Sequence, residues 1–267
     1  MAPGASVVPA IVKSAAVAID VVDARVVYEG TPLFDRLSVR LDAGATTCLL
    51  GPSGVGKSSL LRLLAGLVPL DGGRVAAADG APLAGRVAFM DQRDLLLPWL
   101  SARANVGLGA RLRGEPVDDD RITSLLAAVG VAPRAAARPA ALSGGERQRV
   151  ALARTLMEDK PIILMDEPFS AVDALTRLKL QDLAAELFAG RTVLVVTHDP
   201  LEAIRMGHRV LVMTGTPARI SASFRLADPM PRDVTAFADL HRELLAELGA
   251  GARPSAPAAA IHGARAS

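Results

Sequence analysis

"TTCLLGPSGVGKSSLLRLLAGL", residues 46–67, is the stretch whose reading decides the fold. It opens on a short β-branched and apolar run, the composition of a strand buried on both faces. It closes on apolar residues at helical spacing. Between the two, "GPSGVGKS" (51–58) fits the phosphate-loop pattern at every fixed position, and a strand before it with a helix after it is the context that pattern requires. Gly51, Gly54 and Gly56 let the backbone turn tightly, so that consecutive N–H groups point inward as an anion nest. The start of the following helix adds its partial positive charge. We therefore read Gly51, Pro52, Ser53, Gly54, Val55, Gly56, Lys57, Ser58 and Ser59 as a nucleotide-binding loop, with Lys57 neutralising the β- and γ-phosphates and Ser58 ligating Mg²⁺. A glycine-rich turn that merely precedes a helix is the competing reading, and the complete pattern in its strand–turn–helix context argues against it.

Outward from the loop, more buried-strand candidates appear in "PIILMDEP" (161–168) and "TVLVVTHD" (192–199), with a helical pattern, "DALTRLKLQDLAAELFA" (173–189), between them. Strands alternating with helices predict a mainly parallel sheet with helices on its faces. Upstream, "VVDARVVY" (21–28) and "LFDRLSVRL" (33–41) alternate apolar and polar positions like half-exposed strands, an N-terminal β part. Residues 95–157 are mostly helical in pattern and read as a helical subdomain inserted in the α/β core. Residues 1–17 read as a flexible segment, 18–248 as the globular domain, and the low-complexity run 249–267 as a disordered tail.

Composition bounds what such a domain does. The chain has 267 residues, 51% hydrophobic and 22% charged, with a formal net charge of +2. Basic blocks are absent and aromatics are 3%, which argues against nucleic acid as the main partner. The single cysteine, Cys48, lies in an apolar run and fits a reducing compartment. No apolar stretch approaches the ~20 residues that span a bilayer. The first residues lack the basic start and long apolar core of a signal peptide. Any membrane role is expected to be peripheral, from the cytoplasmic side.

Two further groups carry chemistry. "IILMDEP" (162–168) ends a buried strand in Asp166 and Glu167, at the strand tip where parallel sheets bind ligands. Asp166 is placed to hold Mg²⁺ through water opposite Ser58, and Glu167, on the other side of the strand, to polarise an attacking water. His198 follows the next apolar strand and meets Glu167 if the two strands are neighbours, with contact to the γ-phosphate. "LSGGERQ" (142–148) is a second glycine-rich helix start, puzzling in a chain that already has a phosphate loop.

The order of these pieces resembles the ATP-binding subunit of an ABC transporter, over about residues 18–245. The match runs through Tyr28, the phosphate loop, Gln92, "LSGGERQ", "LMDEP", "SAVDA" (170–174) and His198. The resemblance implies a P-loop NTPase core that binds ATP and Mg²⁺. It also accounts for the second helix start: two subunits pack head to tail, and Ser143, Gly144, Gly145 and Glu146 of one meet the ATP held by the other. It implies further that Tyr28 stacks on adenine, that Gln92 reaches Mg²⁺ or the lytic water, and that Asp173 contacts the facing subunit. Asp91 precedes Gln92 where an apolar or small residue is commoner, and Val172 stands where leucine is usual. Neither departure removes a chemical group.

One phosphate loop implies one half of a homodimer. "DLLLPWLSARANVGLG" (94–109) and "PMPRDVTAFADLHREL" (229–244) resemble the ATPases of nitrate, sulfonate, taurine and pyrimidine-precursor importers. That resemblance implies integral-membrane permease subunits, a periplasmic solute-binding protein acting through them, and a place on the cytoplasmic face of the inner membrane. The rival reading is a soluble ABC ATPase of repair or assembly. The run Leu95–Trp99 separates the two, because a transporter needs an apolar groove for a permease helix.

Overall fold

A computed structural model describes residues 15–226 and 234–251. In chain order, β1 (Ile19–Tyr28), β2 (Thr31–Leu41) and β3 (Thr46–Leu50) lead into α1 (Lys57–Leu64), followed by β4 (Gly72–Ala77) and β5 (Val87–Met90). Four helices come next: α2 (Ala102–Val106), α3 (Leu108–Arg113), α4 (Asp119–Ala128) and α5 (Gly144–Met157). Then β6 (Ile162–Asp166), α6 (Ala174–Phe188), β7 (Thr192–Val196) and α7 (Pro200–Met206) alternate, before β8 (Arg209–Thr214), β9 (Arg219–Arg225) and α8 (Ala238–Gly251).

The strands form two sheets. An antiparallel sheet has the order β2-β1-β4, and its strands alternate buried and exposed positions as the period of two requires. Its β1–β4 register shifts between Val22 and Arg25. At that shift Gly73 crosses so close that a Cβ would lie 2.3 Å from the Asp23 carbonyl oxygen, so only glycine fits.

The second sheet has the order β5-β6-β7-β3-β8-β9, parallel from β5 to β8, with β9 as an antiparallel edge. Its central strands β3, β6 and β7 are buried at all five positions each. They separate two cores. Leu49, Leu164, Leu194, Val196 and Leu211 face β1, β2 and α1. Cys48, Leu50, Met165, Val195 and Val212 face α5, α6 and α7. A strand covered on both faces reads as an unbroken apolar run, and each aliphatic side chain buried there contributes roughly 1.5–3 kcal/mol. The expected α/β class, with a mainly parallel sheet, an N-terminal antiparallel part and helices between β5 and β6, is the architecture found.

The boundaries differ in three places. Residues 91–101 are irregular, so helix begins at Ala102 and not at 95. Pro98 disfavours helix before it. The fully buried Asn105 also ties the segment down, accepting from the Leu97 N–H at 2.8 Å and donating to the carbonyls of Leu97, Leu100 and Ser101. At the N-terminus, Val17 is buried and its carbonyl accepts the Thr192 hydroxyl at 2.7 Å, so residues 15–17 belong to the fold. The rest of the segment expected to be flexible, 1–14, lies outside the described residues. At the other end α8 runs to Gly251, anchored by the buried Leu244, and so passes the boundary expected at 248. Residues 227–233 and 252–267 lie outside the described residues, including the start of the 229–244 resemblance and most of the tail. No helix among the described residues is long and apolar enough to cross a membrane.

Candidate active site

Four neighbouring parallel strands bring the predicted residues to one edge. In the order β5-β6-β7-β3, their carboxyl ends release Gln92, then Asp166 and Glu167, then His198, then Gly51. Parallel sheets present ligand sites at this edge because every strand delivers a loop there in the same direction.

The phosphate loop is built by close approach. A Cβ on Gly51 would lie 2.4 Å from the Met213 carbonyl oxygen, and Gly54 and Gly56 sit at φ of 79° and 113°. Lys57 is 8% exposed, and its ammonium donates to the carbonyls of Gly51 at 2.7 Å and Pro52 at 2.9 Å. Two of its three donors are thereby used and one stays available. Burial lowers the Lys57 pKa, opposed by the charges of Glu167 and Asp166.

Asp166 is buried, and burial pushes its carboxyl above the usual range, with Glu167 and Asp91 adding to the shift and the Ser58 hydroxyl, which donates to it, opposing. A buried carboxylate beside a hydroxyl, under repulsion from two acids, is a hard-oxygen site that a cation would relieve. Mg²⁺ takes one or two such protein oxygens and completes its shell with waters and phosphate, so the pair fits it. Asp91, the unusual residue before Gln92, pairs with Arg62 at 3.2 Å and accepts the Arg93 N–H at 3.2 Å. Gln92 is exposed beside the groove that Gly144, Arg147 and Ser170 line.

Because β6 and β7 pair, His198 comes to Glu167: Nδ1 lies 3.3 Å from Oε1. The Glu167 backbone sits at φ 48°, and its N–H donates to the Val196 carbonyl at 2.9 Å. A small cavity of about 30 Å³ continues behind the pair, lined by Ser170, Arg177, Thr197 and Glu202. Tyr28 is 47% exposed at the end of β1 and shares a cleft with Gly54, Val55 and Thr216, so its ring is open beside the loop.

The "LSGGERQ" segment, the signature of the resemblance, caps α5. The Ser143 hydroxyl accepts the Glu146 N–H at 3.2 Å while the Glu146 carboxylate accepts the Ser143 N–H at 2.7 Å, a reciprocal capping box. The Ser143 hydroxyl also bonds the Glu146 carboxylate, which is engaged as well with Arg134 at 3.4 Å. Asp173 caps α6 by accepting the Thr176 N–H at 3.0 Å, which lowers its pKa. The run 95–99 divides: Leu96 is buried, while Leu95 and Trp99 are exposed, Trp99 at 65%. Arg154 holds that loop on α5 by donating to the carbonyls of Leu95 at 2.8 Å and Asp94 at 2.6 Å.

Two site residues escaped sequence reasoning. Gln148, inside the quoted "LSGGERQ", is buried against Glu167 and Ser170. Glu202, on α7, is buried beside His198. The only signal was a polar residue on the apolar face of each helix.

Comparison with known proteins bears on this arrangement. The ABC transporter family model matches residues 34–170, more than half of the chain. The chain belongs to the ABC transporter family. It is 43% identical over 228 residues to an aliphatic sulfonates import ATP-binding protein of Xanthomonas axonopodis, covering 79% of this chain and 88% of that one. An Escherichia coli protein of the same name is 44% identical over 227 residues, covering 82% and 86%. Among solved structures, a dimeric ATP-binding cassette in a post-hydrolysis state, bound to ADP and phosphate, superposes with a TM-score of 0.71 at 28% identity, over 79% of this chain and 99% of that one. This ABC protein is an ATPase.

Proposed function

We propose that this ABC ATPase drives import of a small organic sulfonate or a similar oxyanion, working as a homodimer on separate permease subunits at the cytoplasmic face of the membrane and fed by a periplasmic binding protein. The names of the two relatives support the solute class, and the exposed Leu95 and Trp99 support a permease-docking surface beside the site. The observation that carries the enzymatic reading is the Glu167–His198 pair, 3.3 Å apart at one lip of the phosphate loop.

In this reading the loop amides and Lys57 bind the β- and γ-phosphates, and the open ring of Tyr28 takes the adenine. Ser58 and Asp166 would hold Mg²⁺, and Gln92 would reach the ion or the attacking water. Bound Mg²⁺ supplies charge neutralisation on the phosphates. Glu167 accepts a proton from the water that attacks the γ-phosphorus, as the bond to the ADP oxygen breaks. His198 orients that carboxylate through Nδ1 and leaves its other ring nitrogen for the γ-phosphate. Ser143, Gly144 and Gly145 of the facing subunit close the site with the positive end of α5, Glu146 holds that turn in shape, and Asp173 contacts the other protomer.

Glu167→Gln tests this. Lys57, Ser58 and Asp166 are untouched, so ATP and Mg²⁺ binding should persist while turnover falls by about two to four orders of magnitude, the usual size of general-base effects. Near-normal turnover in the purified variant would remove Glu167 from that role.

A further inference from the structure

We propose that Gln148 is a positioning residue for Glu167, and that through it the signature helix of this chain sets the geometry of its own hydrolytic centre. The inference rests on the reading of Glu167 as the base. Gln148 is 6% exposed and both ends of its amide are engaged. Nε2 donates to the Glu167 carbonyl at 2.8 Å and to the Ser170 hydroxyl at 3.2 Å, while Oε1 accepts the Ala171 N–H at 2.7 Å. The Ser170 hydroxyl in turn donates to the same Glu167 carbonyl at 3.0 Å.

Those bonds matter because of where the Glu167 backbone sits. At φ 48° a side-chain-bearing residue occupies a region costing on the order of 1–2 kcal/mol, and it stays there only when its surroundings hold it. Here the surroundings are the Val196 carbonyl on the N–H and, on the C=O, the Gln148 amide together with the Ser170 hydroxyl and the Ser170 N–H at 3.3 Å. Of these donors Gln148 makes the shortest bond and alone comes from α5; without it only the adjacent Ser170 holds the carbonyl, and the peptide that carries the carboxylate is less firmly fixed.

The same helix carries the turn proposed to meet the other subunit's ATP. Gln148 lies five residues after Ser143 on α5, whose first turn is locked by its capping box. Gly145 also packs on the 170–172 segment, so closely that a Cβ would lie 3.0 Å from the Ala171 carbonyl oxygen. One rigid helix therefore grips that segment at two points, and a displacement at Ser143 reaches the Glu167 carbonyl through a single side chain. An amide is the group that suits the place: it supplies a donor toward two oxygens and an acceptor toward one N–H, which neither a carboxylate nor a thioether does.

The test compares Gln148→Glu, which sets an acceptor against the Glu167 and Ser170 oxygens, with Gln148→Met, which keeps the length and removes the hydrogen bonds without adding charge. ATPase kcat and KM, thermal melting, and ATP-driven dimerisation on a Glu167→Gln background are measured for each. We expect kcat to fall about ten- to a hundredfold, the scale of a misplaced catalytic group, with KM within about twofold, and with melting and dimerisation close to the parent. If Gln148→Glu does not fold, Gln148→Met carries the same expectation. Unchanged kcat in a folded variant would overturn the inference. So would a loss of kcat that tracks loss of melting temperature and of dimerisation, the mark of a structural role alone. Glu167→Gln runs alongside: if it is inactive while Gln148 variants turn over normally, only the positioning role fails, and if it is active, the base assignment fails and this inference with it.

Discussion

Replacing Glu202 by glutamine should stabilise this ABC ATPase, and should do so far more at pH 8 than at pH 5. Glu202 sits on α7 and is 6% exposed, with Oε1 lacking a hydrogen-bond partner among the described residues and Oε2 reached by the Gln181 amide at 3.4 Å. Burial pushes its carboxyl from 4.5 up to about 7, with Asp199 adding to the shift and the Thr197 hydroxyl, Arg177 and His198 opposing it. The sign follows from linkage. A carboxyl whose folded pKa is raised binds its proton more tightly in the native state, so its stabilising protonation is fully present below about pH 4.5 and lost as pH rises through about 7. A rise of that size is worth ~3 kcal/mol, and ~2–3 kcal/mol of it is lost between pH 5 and pH 8. Glutamine has no such penalty and can still accept from Gln181. For a chain of this size the gap should open as a difference of roughly 5–10 °C in melting temperature. Melting curves for parent and Glu202→Gln at pH 5, 6.5 and 8 are the assay. Two proteins whose melting temperatures run parallel across that range would refute the claim that Glu202 is buried with a raised pKa.

The other expectations concern the two faces proposed to meet partners. Ser143→Arg should still bind ATP as a monomer but fail to dimerise with ATP in size-exclusion chromatography on a Glu167→Gln background, at a folding cost of ~1 kcal/mol from the lost helix cap. Ser143→Asp keeps the cap acceptor, so it should melt like the parent and still fail to dimerise; equal dimerisation by both variants and the parent would sink the composite site. Trp99→Ala removes an exposed ring, so melting should change by no more than ~0.5 kcal/mol and ATPase activity of the isolated subunit should persist. Co-purification with the permease should be lost, where truncating an anchoring Trp costs ~2 kcal/mol or more; undiminished co-purification would remove Trp99 from the docking surface.

What the sequence determined by itself was whatever its neighbours along the chain decide. The loop at 51–59 is nine consecutive residues, and the glycines, lysine and serine proposed to hold phosphate lie within that one short run. The unbroken apolar runs of β3, β6 and β7 announced burial, and the glycine-rich start at 142–148 and the helical pattern from 173 announced α5 and α6, because each is a pattern within a few turns of chain. Tertiary structure decided everything that joins distant residues. His198 meets Glu167 only because β6 pairs with β7, and strand order is set by crossovers that no local pattern records. Gln148 read as one more polar residue of a helix start until α5 packed on the 170–172 segment and buried its amide against the Glu167 carbonyl. Glu202 in the first turn of α7 is buried because Gln181 of α6 lies over it, and Asn105 of α2 because the loop at 97–101 bonds its side chain. A polar side chain reveals its purpose only with its partner, and these partners lie on other elements of the fold.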